Sequence, residues 1–468
     1  MVTLPSIRRR PCMRALRAHG SLAAFALLPL LGCAGSSGSP ALGSLEAAYG
    51  GAAPQPLRPG SREQPFNASA AVLERSVYVR RVLANNPSIE SARQSWRAAL
   101  ARVNQAGAFE DPMLELGVAP LSVGSAKAPL GYEVGLSQKL PWFGKRALEA
   151  SIGSAEAEAA KSDYESVRRE LALTALVLYD QYFIATRALE SNAHHVELMR
   201  AMREGATAQF ATGRGSAQDA LQAESELAHM EHDTTVLRSQ RDVTRAQMNE
   251  LLHRAPELPL PPPPSELALP DVLAQAPPQL EAEALQRRPD IAAARQRARA
   301  EQARAERAGR ESYPDFTVST SYNSMWDMPE HRWMVGLAFN LPVQAGRRAG
   351  AADEAEAGRA QFESDAVHMS DAARTQVFVS LTQLEASRQV IAVFEKRLLP
   401  LAKDRIDAAR AGFIASQNPF VAVVDAEQNL RSVELDYQVA RADCDRRWAE
   451  LERALGRIPG LDSKGADR

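Results

Sequence analysis

Apolar residues recur along this chain with two different periods, and the switches between them mark out its elements. Four short segments alternate strictly, as strands with one apolar face do. Leu114, Leu116 and Val118 oppose Glu115, Gly117 and Ala119 in a first strand at about 112–121. Tyr132, Val134, Leu136 and Leu140 oppose Glu133, Gly135, Ser137 and Lys139 in a second at about 131–140. Phe316, Val318 and Tyr322 oppose Asp315, Thr317, Ser319 and Ser321 at about 314–323. Trp333, Val335, Leu337, Phe339 and Leu341 oppose Met334, Gly336, Ala338 and Asn340 at about 332–341. Elsewhere the spacing is helical. Residues 74–109 and 280–311 read as helices ahead of each strand pair, 145–209 and 347–411 as very long helices behind it, and 217–253 and 420–456 as return helices. Seven-residue spacing (Tyr164, Leu171, Leu178; Val377, Leu384, Ile391, Leu398) favours long helices packed side by side. At ~1.5 Å per residue the longest reach close to 100 Å.

The same order of elements occurs twice, about 202 residues apart. Asn86-Pro87-Ser88-Ile89 returns as Arg288-Pro289-Asp290-Ile291. Gly135-Leu136, Leu140-Pro141 and Gly144-Lys145-Arg146 return as Gly336-Leu337, Leu341-Pro342 and Gly346-Arg347-Arg348. Phe210, Ala223-Glu224 and Leu227 return as Phe413, Ala426-Glu427 and Leu430. This is a duplication: a first repeat at 74–255 with its hairpin at 112–140, and a second at 280–457 with its hairpin at 314–341. A Pro-rich linker, 256–279, joins them, and a polar tail, 458–468, follows.

The N-terminus is a targeting segment. Arg8, Arg9, Arg10, Arg14 and Arg17 precede an apolar run, 22–31, too short to cross a bilayer as a helix. Leu30-Leu31-Gly32-Cys33 resembles a bacterial lipobox, so residues 1–32 read as a lipoprotein signal peptide and Cys33 as the lipidated residue. An ordinary signal peptide with a chance cysteine is the alternative. Ala34 follows, not the Asp that holds many lipoproteins at the inner membrane, which favours an outer-membrane address. Residues 33–73, rich in Gly, Ser, Pro and Ala, read as a flexible tether. Cys444 is then the one cysteine left, so the mature chain holds no internal disulfide. The 55 basic and 57 acidic residues nearly cancel, which argues against a nucleic-acid partner.

One apolar and one small or polar face fits a membrane barrel, and ten residues suffice for a tilted strand to cross. A small amphipathic sheet packed on the helices is the rival reading. Four strands cannot close a barrel, and an open edge in lipid leaves amides unsatisfied. If the strands span, several chains must pool their hairpins.

The order lipobox, helix, hairpin, long helix, return helix, linker and repeat resembles the TolC-type outer-membrane factors. Gln138-Lys139-Leu140-Pro141-Trp142-Phe143-Gly144-Lys145-Arg146 is similar to the motif closing the family's first hairpin, and Ala411-Gly412-Phe413 with Val424-Asp425-Ala426 to its second helical turn. The likeness spans about 74–456. It implies a mostly α fold with a small membrane β-barrel contribution: a homotrimer with a 12-stranded β-barrel in the outer membrane of a Gram-negative bacterium, continued by a 12-helix α-barrel across the periplasm. The partners it implies are a periplasmic adaptor and an inner-membrane pump of the resistance-nodulation-division type, exporting drugs or heavy metals. A non-spanning periplasmic scaffold or adaptor lipoprotein is the alternative.

No nucleophile–base pair, phosphate loop or metal-ligand spacing occurs, so neither catalysis nor a cofactor is expected. His194-His195 and His229 with His232 read as surface helix residues, with metal ligation the alternative. Asp404, Asp407 and Arg410 share a helix face just before the second turn, as either a charged gate at a narrow mouth or a solvated face. Asp425 and Arg431 are secondary candidates for links that hold such a mouth shut. Gly213, Gly215 and Gly412 are candidates for the tips where the family's adaptor docks. Trp142, Phe143 and Trp333 lie at strand ends, as an aromatic girdle or as packing at the sheet–helix junction.

Overall fold

The computed structural model describes residues 72–461 except 125, 127, 128, 214, 271–274 and 416. Cys33, the signal peptide and nearly all of the tether lie outside the described residues. In repeat one, α1 (Arg75–Asn85) and α2 (Pro87–Ala106) lead to β1 (Met113–Val118) and β2 (Tyr132–Leu140), then α3 (Lys145–Ala211) and α4 (Ala217–Leu251). In repeat two, α5 (Pro277–Arg287) and α6 (Pro289–Arg310) precede β3 (Phe316–Asn323) and β4 (Trp333–Phe339). The long helix follows as α7 (Ala345–Val393), a π-turn (Phe394–Leu398) and α8 (Leu399–Ile414), and α9 (Phe420–Ala454) returns.

Three expected helices are divided. Each leading helix breaks one residue before a proline, at Asn86 and Arg288, both with extended backbone. Proline disfavours the helical conformation in the residue before it and is itself well placed at a first helical position. Asn86 caps the new helix, its side chain accepting from the Ser88 N–H at 2.9 Å. The second long helix is interrupted by the π-turn, whereas α3 runs unbroken for 67 residues. Ser216 caps α4, in a reciprocal box with Asp219. Gly144 holds φ +84° at the start of α3, where a Cβ would strike the Arg310 guanidinium.

The four strands form one antiparallel sheet in the order β1-β2-β3-β4. The β2–β3 pairing, with Leu136 opposite Thr320, joins the two repeats edge to edge. Below the sheet α3 and α6 are tied by ion pairs Arg297–Asp163 (2.6 Å), Arg304–Glu156 and Arg307–Glu149. Further down, a core of Tyr78, Val82, Leu176, Tyr179, Phe183 and Met248 takes in Leu260 and Leu267 of the Pro-rich segment. That segment is therefore packed: the Leu73 N–H donates to the Pro262 carbonyl at 2.7 Å and Arg388 to that of Pro270 at 2.7 Å. The tail begins packed too, since Ile458 and Leu461 lie against the same core. Both helical turns sit at the far end, where Ala206 and Ala223 of repeat one bury against Phe420 and Val424 of repeat two.

Among the described residues no helix is long and apolar enough to cross a membrane.

Candidate functional site

Two regions carry chemistry: the sheet and the turn end of the helices. Register places the Leu, Val and aromatic side chains of all four strands on a single face, with Met113 and Met334 on the other. Leu116, Val134, Tyr322 and Trp333 line up across it, as do Leu114, Leu136, Thr320 and Val335. Helices do not cover that face. Val335 is 83% and Leu116 68% exposed, and Leu114, Leu337 and Phe339 are exposed as well. A soluble sheet would bury such a face, so the reading of a sheet packed on the helices fails. The opposite face carries Glu115, Glu133, Ser137, Ser319 and Ser321, with Gly135 opposite Glu115 and Gly117 opposite Glu133. Among the described residues β1 and β4 end the sheet without a further strand partner, leaving rows of backbone N–H and C=O groups open.

Aromatic rings gather at both ends of the sheet. Trp142 stacks on Tyr313 (5.2 Å) and on Phe316 (5.5 Å), with Phe143 edge-on at 5.9 Å. At the loop end Tyr322 lies 5.8 Å from Tyr132 and 5.3 Å from Trp333. Phe316 and Tyr322 are six residues apart on β3, so the bands stand about 20 Å apart at ~3.3 Å per residue.

At the turn end the structure separates the candidates. Asp404, Asp407 and Asp425 are exposed and form no ion pair among the described residues. Arg410 instead bonds the fully buried Glu427, Nη2 to Oε2 at 3.1 Å. Arg431 reaches Asn192 (3.2 Å), Asp233 (3.5 Å) and Glu226 (3.8 Å), and Gln428 donates to Glu226 at 2.7 Å. Gly213 takes φ +70° in the first turn, Gly215 lies close against Gln209, and a Cβ on Gly412 would overlap the Asn418 amide.

His195 corrects the expectation of a surface histidine. It is 1% exposed, its Nδ1 bonded to Glu427 and its Nε2 3.2 Å from Glu434. Burial opposes its charge, but the two carboxylates outweigh burial and push it up to about 9. The imidazolium in turn holds Glu434 below the usual carboxylate range, against the effect of burial. A signal for this cluster existed: Glu427 lies on the stripe of Val423, Val424, Ala426 and Leu430, a buried carboxylate among apolar positions. His194, His229 and His232 are exposed, and among the described residues no group of three or more His, Cys, Asp or Glu is placed to hold a metal.

A second buried charge cluster sits in the core. Arg75 pairs with Asp445 and lies 3.7 Å from Asp180, joining α1, α3 and α9. Burial pushes both carboxyls up, against the pull of Arg75. Burial also pushes Glu452 up to about 7, although it accepts the Gly460 N–H at 2.8 Å.

A duplicated helical body bearing a sheet with an unburied apolar face defines an outer-membrane channel subunit. The sequence profile of the outer membrane efflux protein family matches residues 78–253 and 280–457, and the chain belongs to that family of channels, which are not enzymes. The cobalt-zinc-cadmium resistance protein CzcC of Cupriavidus metallidurans is 21% identical over 321 residues, 67% of this chain and 74% of its own. Among solved structures, CusC gives a TM-score of 0.72 at 18% identity, covering 86% of this chain and 97% of that one. VceC of Vibrio cholerae gives 0.69 at 17%, covering 82% and 96%. At these identities the structures speak for the fold, which is the one expected from the sequence.

Proposed function

We propose that this chain is the outer-membrane exit duct of a tripartite efflux system. The carrying observation is the four-stranded sheet with its apolar face exposed and both edges open. Three copies, joining β4 of one to β1 of the next, would close a 12-stranded barrel and satisfy every edge amide. The polar face then lines a water-filled lumen, and the aromatic bands of Trp142 and Phe143 at one end and Trp333 at the other sit at the two lipid boundaries. Transport through it is passive, with the driving force supplied by an inner-membrane pump and an adaptor that engages the tips around Gly213, Gly215 and Gly412. Asp404 and Asp407, exposed near those tips, act on cations at the entrance. Cys33 carries the lipid that tethers the chain to the outer membrane.

The similarity to a cobalt-zinc-cadmium resistance protein favours divalent heavy-metal cations as cargo. Loss of the chain in its host is expected to raise sensitivity to cobalt, zinc or cadmium ions. Sensitivity raised to organic drugs alone would exchange the cargo while keeping the duct. Recovery of the full-length chain in the soluble periplasmic fraction would favour the scaffold reading and discard the duct.

A further inference from the structure

One junction between the repeats is closed within the chain, β2 against β3, and its counterpart, between β4 and β1, is open. Register shows which residues correspond. Gly135-Leu136-Ser137 of β2 returns as Gly336-Leu337-Ala338 of β4. Ser137 lies opposite Met113, and Ala338 opposite Thr317. Met113 is therefore the equivalent of Thr317, and Asp111 that of Asp315, each two residues earlier. Lys145 likewise has Arg347 as its counterpart, since Gly144-Lys145-Arg146 returns as Gly346-Arg347-Arg348. At the closed junction Lys145 and Asp315 are partners. The Lys145 Nζ donates to Oδ1 of Asp315 at 2.8 Å and to the Tyr313 carbonyl at 3.1 Å, and the lysine is buried. Their counterparts make no such contact. Asp111, just ahead of β1, and Arg347, just beyond β4, are both exposed, and neither forms an ion pair among the described residues. The width of the sheet separates them, roughly 14 Å at ~4.8 Å between strands, so they cannot meet within one chain.

We propose that the open edges of two copies meet as a repetition of the β2–β3 junction, with Arg347 of one copy bonded to Asp111 of the next. The proposal rests on the duct reading and fixes its register. Transferring the β2–β3 pairing to the equivalent residues sets Val335 opposite Val118 of the next copy, Leu337 opposite its Leu116 and Phe339 opposite its Leu114. All six are exposed in the single chain, and each pair sets apolar against apolar. On the polar face Ala338 falls opposite Glu115 and Gly336 opposite Gly117, so no like charges oppose each other. A slip of one residue would turn the polar side chains of one strand toward lipid. A slip of two preserves both faces and is not excluded by alternation. It does carry Arg347 about 7 Å past Asp111, so the ion pair decides between registers that the apolar pattern leaves equal. Arginine suits the position, because its planar fork can hold a carboxylate with two parallel bonds.

The yield of heat-resistant oligomer in detergent extracts of membranes, with the full-length chain, reads the ion pair. Arg347→Asp and Asp111→Arg should each lower it several-fold, and the two together should bring it back near the parent's. A double variant no better than either single one would overturn the pair. Paired cysteines read the register without touching either charge. Phe339→Cys with Leu114→Cys should give disulfide-linked chains on oxidation in intact membranes. Phe339→Cys with Leu116→Cys, a diagonal pair beyond the ~7 Å that a disulfide spans, should give few. The opposite preference, or no linkage from either pair in a chain that is still oligomeric, would overturn the seam and leave the duct standing. No linkage from either pair in a chain that is monomeric in mild detergent would sink the duct reading and the seam with it.

Discussion

At the scale of single residues, charge is placed by burial more than by sequence neighbourhood. Glu452 is the simplest test. Its folded value of about 7 exceeds the free 4.5, so its contribution is present below pH 4.5 and is lost as pH rises through 7. Glu452→Gln keeps an acceptor for Gly460 and cannot ionise. Thermal melts should show this variant gaining stability over the parent at pH 8 and little or none at pH 5. Asp445→Ala is the reverse case, stranding Arg75 beside Asp180, and should cost about 3–5 kcal/mol in denaturant unfolding. The Arg75 cluster was not legible from the chain, because a carboxylate in a helix reads as solvated until its partner helix is known. Asp404 and Asp407, chosen from spacing, are exposed; His195, taken for a surface residue, is buried.

At the scale of elements the sequence was far more readable. Two-residue alternation located the strands because the sheet obeys it, and the duplication set the order of the helices around them. The breaks at Asn86 and Arg288 were visible as X-Pro steps inside periodic runs. The π-turn was harder, since one inserted residue shifts a heptad pattern without erasing it; Pro400 and the one-residue offset between repeats were its traces. The two faces of the sheet give opposite mutational outcomes. Val335→Lys, on the apolar face, should cost roughly 2–4 kcal/mol of membrane-inserted stability if it lies near mid-bilayer. It should reduce the yield of heat-resistant oligomer in detergent extracts, while Ser319→Lys on the polar face leaves that yield near the parent's. Equal losses from the two would contradict a lipid-facing and a lumen-facing side.

At the scale of the whole molecule, one chain is an incomplete object. Its sheet has two open edges and an uncovered apolar face, and helix α7 leaves Val367, Phe378 and Val390 exposed. Burial by further copies of the same chain would answer all of these at once. In the proposed duct, three chains of four strands each make a closed barrel of twelve, above the eight or so strands at which known membrane barrels begin. The most direct test is the native mass of the full-length protein extracted from membranes in mild detergent. Three chains per particle is the predicted result; a stable monomer or dimer that keeps its helical content would contradict it.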